Sequence, residues 1–280
     1  MNSLSLADTS SPGGSAILDR DSGPMIAIII PACDEAPCIS RVLDELLCVI
    51  DPAKYVVAVG VNASSDRTAE FAREYPVVVA ETSARGYGFG CQAAIDAVTR
   101  EHPTVEAYIF FAADGASDPR DVFNLTAAYA QGYSMVLGAR TMSRRNWRTM
   151  SLPHVLANFA LGLWCGLLTQ RWFSDLAPHR LIARDLFEAI GLREMTFGWT
   201  IEAQIAAAIL GARVVEVAAD ERKRIAGEQK VSGVTWRQTF HIGCQIAAAG
   251  WRTRLRLRAA VRAGDAELTT KFLVHSGRGA

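Results

Sequence analysis

Residues 25–30 read Met-Ile-Ala-Ile-Ile-Ile and lie between Pro24 and Pro31. A continuous apolar run of this length, with a proline on either side, is typical of a strand buried on both faces of a parallel sheet. A polar loop follows, and residues 39–50 then carry apolar side chains at helical spacing before an Asp-Pro pair. The stretch therefore predicts a strand, a loop and a helix, which is the repeating unit of α/β folds.

The same order of elements recurs along the chain. Further strands are predicted at residues 55–61, 77–80, 107–112, 134–140 and 213–217, and helices at 68–74, 91–100, 121–131 and 201–210. This alternation predicts an α/β fold, a mostly parallel twisted sheet flanked by helices and followed by a helical C-terminal extension. The ligand site of such a sheet lies beyond the carboxyl ends of its strands, where the polar loops of this chain fall.

Composition divides the chain into three predicted segments. Residues 1–24 have no basic region ahead of an apolar core, so we expect a disordered leader rather than a secretory signal. Residues 25–235 carry the alternating pattern, and residues 236–280 form a helical and basic extension. The apolar helix predicted at 152–168 is too short and mixed for a membrane span.

Two interpretations stay open for that apolar helix and for the arginine row at 252–258. They suit peripheral contact with an anionic bilayer at the inner face of the membrane. They also suit a core helix and a solvated face.

The charges of the chain exclude a global attraction to nucleic acid. Its 280 residues include 29 basic and 29 acidic side chains, so the formal net charge is zero. We therefore expect no nucleic-acid partner and only local anion binding. The six cysteines show neither a Cys-x-x-Cys pair nor a histidine at ligand spacing, which argues against a zinc site and a disulfide scaffold. A cytoplasmic location fits them best.

Three loops at predicted strand ends carry groups that suit a nucleotide-sugar. Asp114 follows an apolar strand and precedes Gly115, where a carboxylate can hold a divalent cation or simply form a turn. Residues 62–68, Asn-Ala-Ser-Ser-Asp-Arg-Thr, suit a ribose, a phosphate or a helix cap. Residues 85–90, Arg-Gly-Tyr-Gly-Phe-Gly, allow backbone close to a diphosphate or a tight turn, and they lack the dinucleotide fingerprint.

Taken in order, eight short motifs resemble the family 2 glycosyltransferases of GT-A fold. They are residues 28–35, 62–68, 85–88, 112–119, 137–140, 174–180, 198–202 and 224–233. The last three look like the subgroup of dolichol- and polyprenyl-phosphate mannosyl- and glucosyltransferases. The resemblance covers about residues 25–245.

This resemblance implies an inverting glycosyltransferase that moves a hexose from a UDP- or GDP-sugar to a small acceptor or a lipid phosphate. The implied nucleotide-sugar contacts are Pro31, Ala32, Asp34, Glu35, Asn62, Ser64, Asp66, Arg85, Gly86, Asp114 and Gly115. Asp114 would also hold Mg²⁺ or Mn²⁺, which neutralises the diphosphate leaving group. A phosphate acceptor is already an anion, so positioning would dominate and no strong base is needed.

The same resemblance suggests roles for further charged residues. Phosphate or acceptor contacts are expected from Arg140, Arg180, Arg222, Arg224 and Lys230, for which a solvated basic loop is the alternative. Asp175 and Glu202 are the candidate catalytic carboxylates, which would position the acceptor or accept a proton from a hydroxyl. Glu202 falls in the first turn of a predicted helix, where stabilising the helix dipole is an equal alternative.

The chain departs from the family pattern at three positions. Val61 stands where the nucleotide loop usually begins with aspartate, Ala112 replaces the first acid of the Asp-x-Asp motif, and Ala116 replaces a polar group. One carboxylate can still complete an octahedral Mg²⁺ site with phosphate oxygens and water. The alternative function is a non-catalytic nucleotide-sugar-binding or partner protein. A nucleotidyltransferase is disfavoured because no glycine-rich loop with a lysine follows the first strand.

Overall fold

The computed structural model describes residues 24–143, 146, 152–226 and 236–262. The strands are β1 (Met25–Ala32), β2 (Tyr55–Asn62), β3 (Val78–Thr82), β4 (Val105–Phe110), β5 (Met135–Ala139), β6 (Arg180–Ala183) and β7 (Val214–Ala218). The helices are α1 (Ala36–Leu47), α2 (Thr68–Ala72), α3 (Tyr87–Glu101), α4 (Asp121–Ala130), α5 (Leu152–Thr169), α6 (Arg184–Ile190), α7 (Trp199–Ile209) and α8 (Trp236–Arg262). Residues 1–23 of the predicted leader and residues 263–280 lie outside the described part.

The strands form one sheet in the order β3-β2-β1-β4-β6-β5-β7. β6 runs antiparallel to β4 and β5, and the other neighbouring pairs are parallel. The predicted mostly parallel sheet flanked by helices is therefore confirmed. The sequence pattern does not predict β6, because this strand has four residues and begins with a charged one. β4 also ends at Phe110, earlier than the predicted limit at residue 112.

Helices cover both faces of the sheet. The centre of β1 is fully buried at Ile28, Ile29 and Ile30, as the uninterrupted apolar run predicts. Because successive side chains of a strand point to opposite faces, Ile29 packs in one core with α3 and α7, and Ile28 packs in a second core with α1 and α4. Full burial of each of these side chains stabilises the fold by roughly 1.5–3 kcal/mol.

The glycines of residues 85–90 bring α3 close to its neighbours. A Cβ at Gly90 would lie 2.8 Å from Asn62 Oδ1, and one at Gly88 would lie 2.5 Å from the Trp199 ring. Gly86 has a φ of 151° and makes the turn into α3. This glycine pattern therefore serves a turn and close helix packing.

His179 is a buried titratable residue that directly precedes β6 and packs against the end of β4. Its Nδ1 lies 3.0 Å from Phe110 O, and its Nε2 has no hydrogen-bond partner among the described residues. The ring also makes an edge contact with Phe111, at 5.4 Å between centroids. Burial lowers the pKa of His179 to about 4, so the ring is neutral near pH 7.

The free energy of unfolding should fall as the pH drops from 6.5 towards 4. In this window the unfolded chain protonates His179 and the folded chain does not, which favours the unfolded state by about 3 kcal/mol at the lower limit. Urea unfolding at several pH values, compared with His179→Gln, isolates this contribution. The variant should lose less stability across the window, and parallel pH profiles for the two proteins would contradict the assignment.

Candidate functional site

The carboxyl ends of β1, β2 and β4 meet at one edge of the sheet, the carboxyl edge. Residues 219–226, which follow β7 and are called the strap, cross the end of β4. The Ile225 N–H donates to Asp114 O at 3.0 Å, and the Arg222 N–H donates to Ala116 O at 2.8 Å. These backbone bonds hold the strap against the loop that carries Asp114.

Gly115 lets the strap lie close to that loop. Its φ is 77°, and a Cβ there would lie 2.3 Å from Ile225 Cδ1. A side chain at this position would therefore be strained and would displace the strap. Gly115 was expected to contact the nucleotide-sugar, and the structure shows why glycine is needed for packing.

The predicted nucleotide residues of the β1 and β2 loops do come together. The Asp34 N–H donates to Ser64 Oγ at 2.9 Å, and the Ser65 N–H donates back to Asp34 Oδ1 at 2.6 Å. The Ala36 N–H donates to Asp66 Oδ2 at 3.0 Å. Asp34, Ser64 and Asp66 thus fasten the two loops to each other, and their contact with a nucleotide stays a prediction.

The other predicted nucleotide residues differ in exposure. Ala32 and Asn62 are buried, Pro31 and Gly86 are half-buried, and Arg85 is exposed just before α3. Of this group, Arg85 is the side chain most accessible to a ligand.

Arg224 of the strap lies between two carboxylates at the carboxyl edge. Its Nη2 is 3.2 Å from Glu35 Oε1, and its Nη1 is 3.3 Å from Asp114 Oδ2. Asp114 Oδ1 also accepts the Ala116 N–H at 2.9 Å. Arg222 points away from this cluster and pairs with Glu45 at 2.8 Å. The structure therefore joins three predicted site residues, Glu35, Asp114 and Arg224, in one charged cluster.

Of the two carboxylates in this cluster, Glu35 and Asp114, only Asp114 belongs to the motif predicted to hold a divalent cation. Ala112 precedes Asp114 in place of an acid, and the described residues contain no group of three or more metal-binding side chains. Asp114 could complete a Mg²⁺ or Mn²⁺ site only with diphosphate oxygens and water, which is a coordination common for Mg²⁺. These residues therefore suit a cation that binds together with a nucleotide-sugar better than a cation that is bound permanently.

Asp175 is fully buried and forms an ion pair with Arg140, whose side chain is 19% exposed. Arg140 donates to Asp175 Oδ2 from its backbone N–H at 2.9 Å and from Nε at 2.8 Å, and to Oδ1 from Nη2 at 2.9 Å. Glu221 of the strap lies 3.3 Å from Arg140 Nη1. Burial alone would lower the pKa of Arg140, but Asp175 outweighs it and raises this pKa. The predicted catalytic role of Asp175 would require this pair to open.

Glu202 is also buried and engaged. Its Oε2 accepts the Arg193 N–H at 2.9 Å and the Glu194 N–H at 2.7 Å, and its Oε1 lies 2.9 Å from Arg256 Nη2. Glu202 thus joins the start of α7 to the preceding loop and to α8. These contacts go beyond the expected dipole effect, and its catalytic role stays a prediction.

Arg180 does not reach solvent in this structure. Its guanidinium lies 4.9 Å above the Phe110 ring, and Nη1 donates to Ala177 O at 3.1 Å. Its Nε and Nη2 have no partner among the described residues, and burial lowers the pKa of Arg180. A phosphate contact would require this side chain to move. Lys230, predicted for the same role, lies outside the described residues.

Sequence reasoning missed a polar network under the strap. Asn146 donates from Nδ2 to Ala219 O at 2.8 Å and accepts the Glu221 N–H at 2.8 Å. Asp121 accepts the Asp220 N–H at 2.8 Å, and burial raises the pKa of Asp121 to about 6. Because these partners are far apart in the chain, no local motif marks them.

Comparison with known proteins places the chain among glycosyltransferases. The family model described as Glycosyl transferase family 2 matches residues 27–187. An uncharacterized glycosyltransferase of Mycobacterium tuberculosis is 28% identical over 215 residues, covering 76% of this chain and 92% of the relative. An uncharacterized protein of Methanocaldococcus jannaschii is 30% identical over 152 residues, covering 54% of this chain and 60% of the relative.

Solved structures of similar fold include glucosyl-3-phosphoglycerate synthase from Mycobacterium tuberculosis. Its complex with phosphoglyceric acid has a TM-score of 0.60 at 17% identity, covering 82% of this chain and 80% of that chain. Its complex with Mn²⁺, UDP and glucosyl-3-phosphoglycerate has a TM-score of 0.57 at 17% identity, with the same coverage of both chains. These likenesses confirm the expected GT-A fold.

Asp175→Asn should destabilise the protein by about 3 kcal/mol, because it removes the charge of a fully buried carboxylate that three Arg140 donors bind, while Arg140 keeps only Glu221 as an ionic partner among the described residues. Combined with Arg140→Met in a double-mutant cycle, it should show a coupling energy of about 2 kcal/mol or more. The matched control is the more exposed pair Arg184 and Glu188, whose coupling should stay below about 0.5 kcal/mol. Urea unfolding measures both cycles, and similar small couplings would contradict a structural role for Asp175.

Proposed function

The chain belongs to glycosyl transferase family 2, and we propose that it moves a hexose from a UDP- or GDP-sugar to an acceptor phosphate. Transfer would invert the anomeric carbon, and the phosphate would belong to a small molecule or to a lipid. The observation that carries this proposal is the charged cluster of Glu35, Asp114 and Arg224 at the carboxyl edge. A diphosphate leaving group is stabilised by fixed cations at this kind of position.

The donor would lie across the carboxyl edge. We propose that its nucleotide contacts the loops joined by Asp34, Ser64 and Asp66 and that its diphosphate lies beside Asp114. Arg224 would turn from the two carboxylates to the phosphates, and the exposed Arg85 would add a positive charge before α3.

A divalent cation would bind with the donor. Asp114 would hold Mg²⁺ or Mn²⁺ in this chain, and the ion would neutralise charge on the leaving diphosphate. Support comes from the glucosyl-3-phosphoglycerate synthase structures, one of which contains Mn²⁺ with UDP and another, with a TM-score of 0.54, Mg²⁺ with UDP. Arg224 must leave Asp114 Oδ2 before that oxygen can face the cation.

A phosphate acceptor agrees with the state of the two candidate carboxylates. Asp175 and Glu202 are engaged in buried ion pairs, so neither is placed to take a proton from a hydroxyl. An acceptor phosphate needs positioning rather than a base. The synthase of similar fold binds phosphoglyceric acid, which supports an acceptor that bears a phosphate, although this molecule also carries a hydroxyl that could attack the sugar.

We further propose that the protein works in the cytoplasm, in contact with the inner face of the membrane. Cys38, Cys48, Cys91, Cys165 and Cys244 form no disulfide, which suits a reducing compartment. Among the described helices, none is long and apolar enough to cross a membrane. A lipid acceptor would then be reached from the membrane surface.

The second candidate is a nucleotide-sugar-binding protein without transfer activity. It is favoured by Ala112, which removes one acid of the cation motif. Donor binding without transfer or hydrolysis would support this candidate, and turnover would exclude it.

Donor binding provides the main test. A UDP- or GDP-sugar should raise the unfolding temperature, more so with Mn²⁺, and Mn²⁺ alone should not, because Asp114 is a single ligand. In Asp114→Asn the gain in donor affinity from Mn²⁺ should fall roughly tenfold or more. Titration calorimetry measures the affinities. A retained Mn²⁺ gain in this variant contradicts the cation assignment, and no stabilisation by any nucleotide-sugar contradicts the function.

Arg224→Gln should weaken donor binding about tenfold with or without Mn²⁺, because a charge-assisted contact to the diphosphate is lost. The matched control is Arg100→Gln, an exposed arginine in the last turn of α3. Calorimetry with both variants checks the prediction. Wild-type affinity in Arg224→Gln would show that the strap does not contact the donor.

A further inference from the structure

Helices α5 and α8 carry a patch of exposed apolar side chains. The described residues include ten exposed large apolar side chains, and six of them belong to this patch, called the α5–α8 strip. They are Phe159, Leu163 and Leu167 on α5, Trp172 just after α5, and Trp251 and Leu255 on α8. Each is between 41% and 63% exposed. Clustering on this scale marks an interaction surface, whereas single exposed apolar residues are ordinary.

Contacts between the two helices make the strip continuous. On α5 the exposed residues recur every four positions and so lie on one face. The Phe159 and Trp172 rings meet at 5.8 Å, and the Trp164 and Trp251 rings meet at 6.3 Å. Trp164 Nε1 also donates to Ala247 O of α8 at 3.0 Å. The strip therefore spans both helices.

Arginines outnumber acids around the strip. Residues 152–169 contain no charged side chain, and residues 236–262 contain six arginines and no acid. Arg252 and Arg256 are neutralised by Glu194 and Glu202. The other α8 arginines whose side chains the structure describes are Arg254, Arg258 and Arg262, and none of them pairs with a carboxylate of the described residues.

Two of these arginines line a cleft at the far end of the strip. Arg258 and Arg262 line an open surface cavity of about 360 Å³ together with Leu168, Thr169, Ala208 and Ile209. Arg254 lies between the two helices, 5.7 Å above the Trp251 ring and 3.3 Å from Leu167 O. A cavity lined by two cationic groups and by aliphatic side chains suits a phosphate that is attached to an apolar body.

We propose that the α5–α8 strip docks on the surface of an anionic phospholipid bilayer. Its aromatic and leucine side chains would enter the headgroup boundary, and Arg258 and Arg262 would hold a lipid phosphate. A second copy of the chain fits less well, because a symmetric pair would bring Arg254, Arg258 and Arg262 of one copy towards the same arginines of the other. The proposal extends the proposed function by naming the surface that would meet a lipid acceptor.

Vesicle flotation of the full chain tests this surface. The chain should bind vesicles with about 30% phosphatidylglycerol at low salt, lose binding in about 0.5 M NaCl, and ignore phosphatidylcholine alone. Arg258→Gln/Arg262→Gln should bind about 30-fold more weakly, since each arginine near the surface contributes about fivefold. The control Arg100→Gln/Arg120→Gln removes the same charge elsewhere and should bind like the wild type.

A second pair of variants tests the apolar contribution. Leu163→Gln/Leu167→Gln should lose flotation, while Phe123→Gln, an exposed phenylalanine on α4, should keep it. Unfolding temperatures confirm that the variants are folded. If the double leucine variant does not fold, the comparison of the two double arginine variants still tests the proposal.

Three results would overturn the proposal: no flotation at low salt, equal binding by the two arginine pairs, or a dimer in light scattering that the leucine pair dissociates. The vesicles contain no acceptor and no donor is added, so these results leave the transfer activity to be judged separately.

Discussion

The ion pair between Arg140 and Asp175 is the contact on which the carboxyl-edge site depends. Arg140 directly follows β5 and Asp175 lies in the segment before β6, so the pair joins these two parts of the chain. Glu221 of the strap also contacts Arg140. Burying two charges is favourable only when their hydrogen bonds are satisfied, and three Arg140 donors reach Asp175. The pair holds the strap in place, and the strap places Arg224 beside Asp114.

Although the net charge of the chain is zero, the carboxyl edge and α8 differ in the signs of their charges. At the carboxyl edge, Arg224 is shared between Glu35 and Asp114, so positive and negative groups balance within a few ångströms. Along α8 the arginines have no acid on their own helix, and the region stays positive. A nucleotide-sugar that binds with a divalent cation needs both carboxylates and basic side chains, whereas an anionic bilayer needs only basic side chains.

Local patterns predicted most of the sheet, because the buried strands are continuous apolar runs such as residues 25–30. They also predicted that the loops carrying Asp34 and Asp66 would meet, since parallel strands end at one edge. They could not predict the partners of Asp175 and Glu202. Those partners are backbone N–H groups and arginines that folding brings from other elements, so a carboxylate in a family-like motif was indistinguishable from a structural one.

The site and the strip are linked by the path of the chain. Residues 227–235 separate the strap from α8, and ten fully extended peptide steps span at most about 35 Å. This length limits how far the strap, and Arg224 with it, can lie from the first turn of α8. Glu202 ties α8 to the loop before α7 through Arg256, so the helix cannot shift without disturbing a buried carboxylate. Docking of α8 on a bilayer would therefore hold α7 and the loop before it at the membrane surface as well.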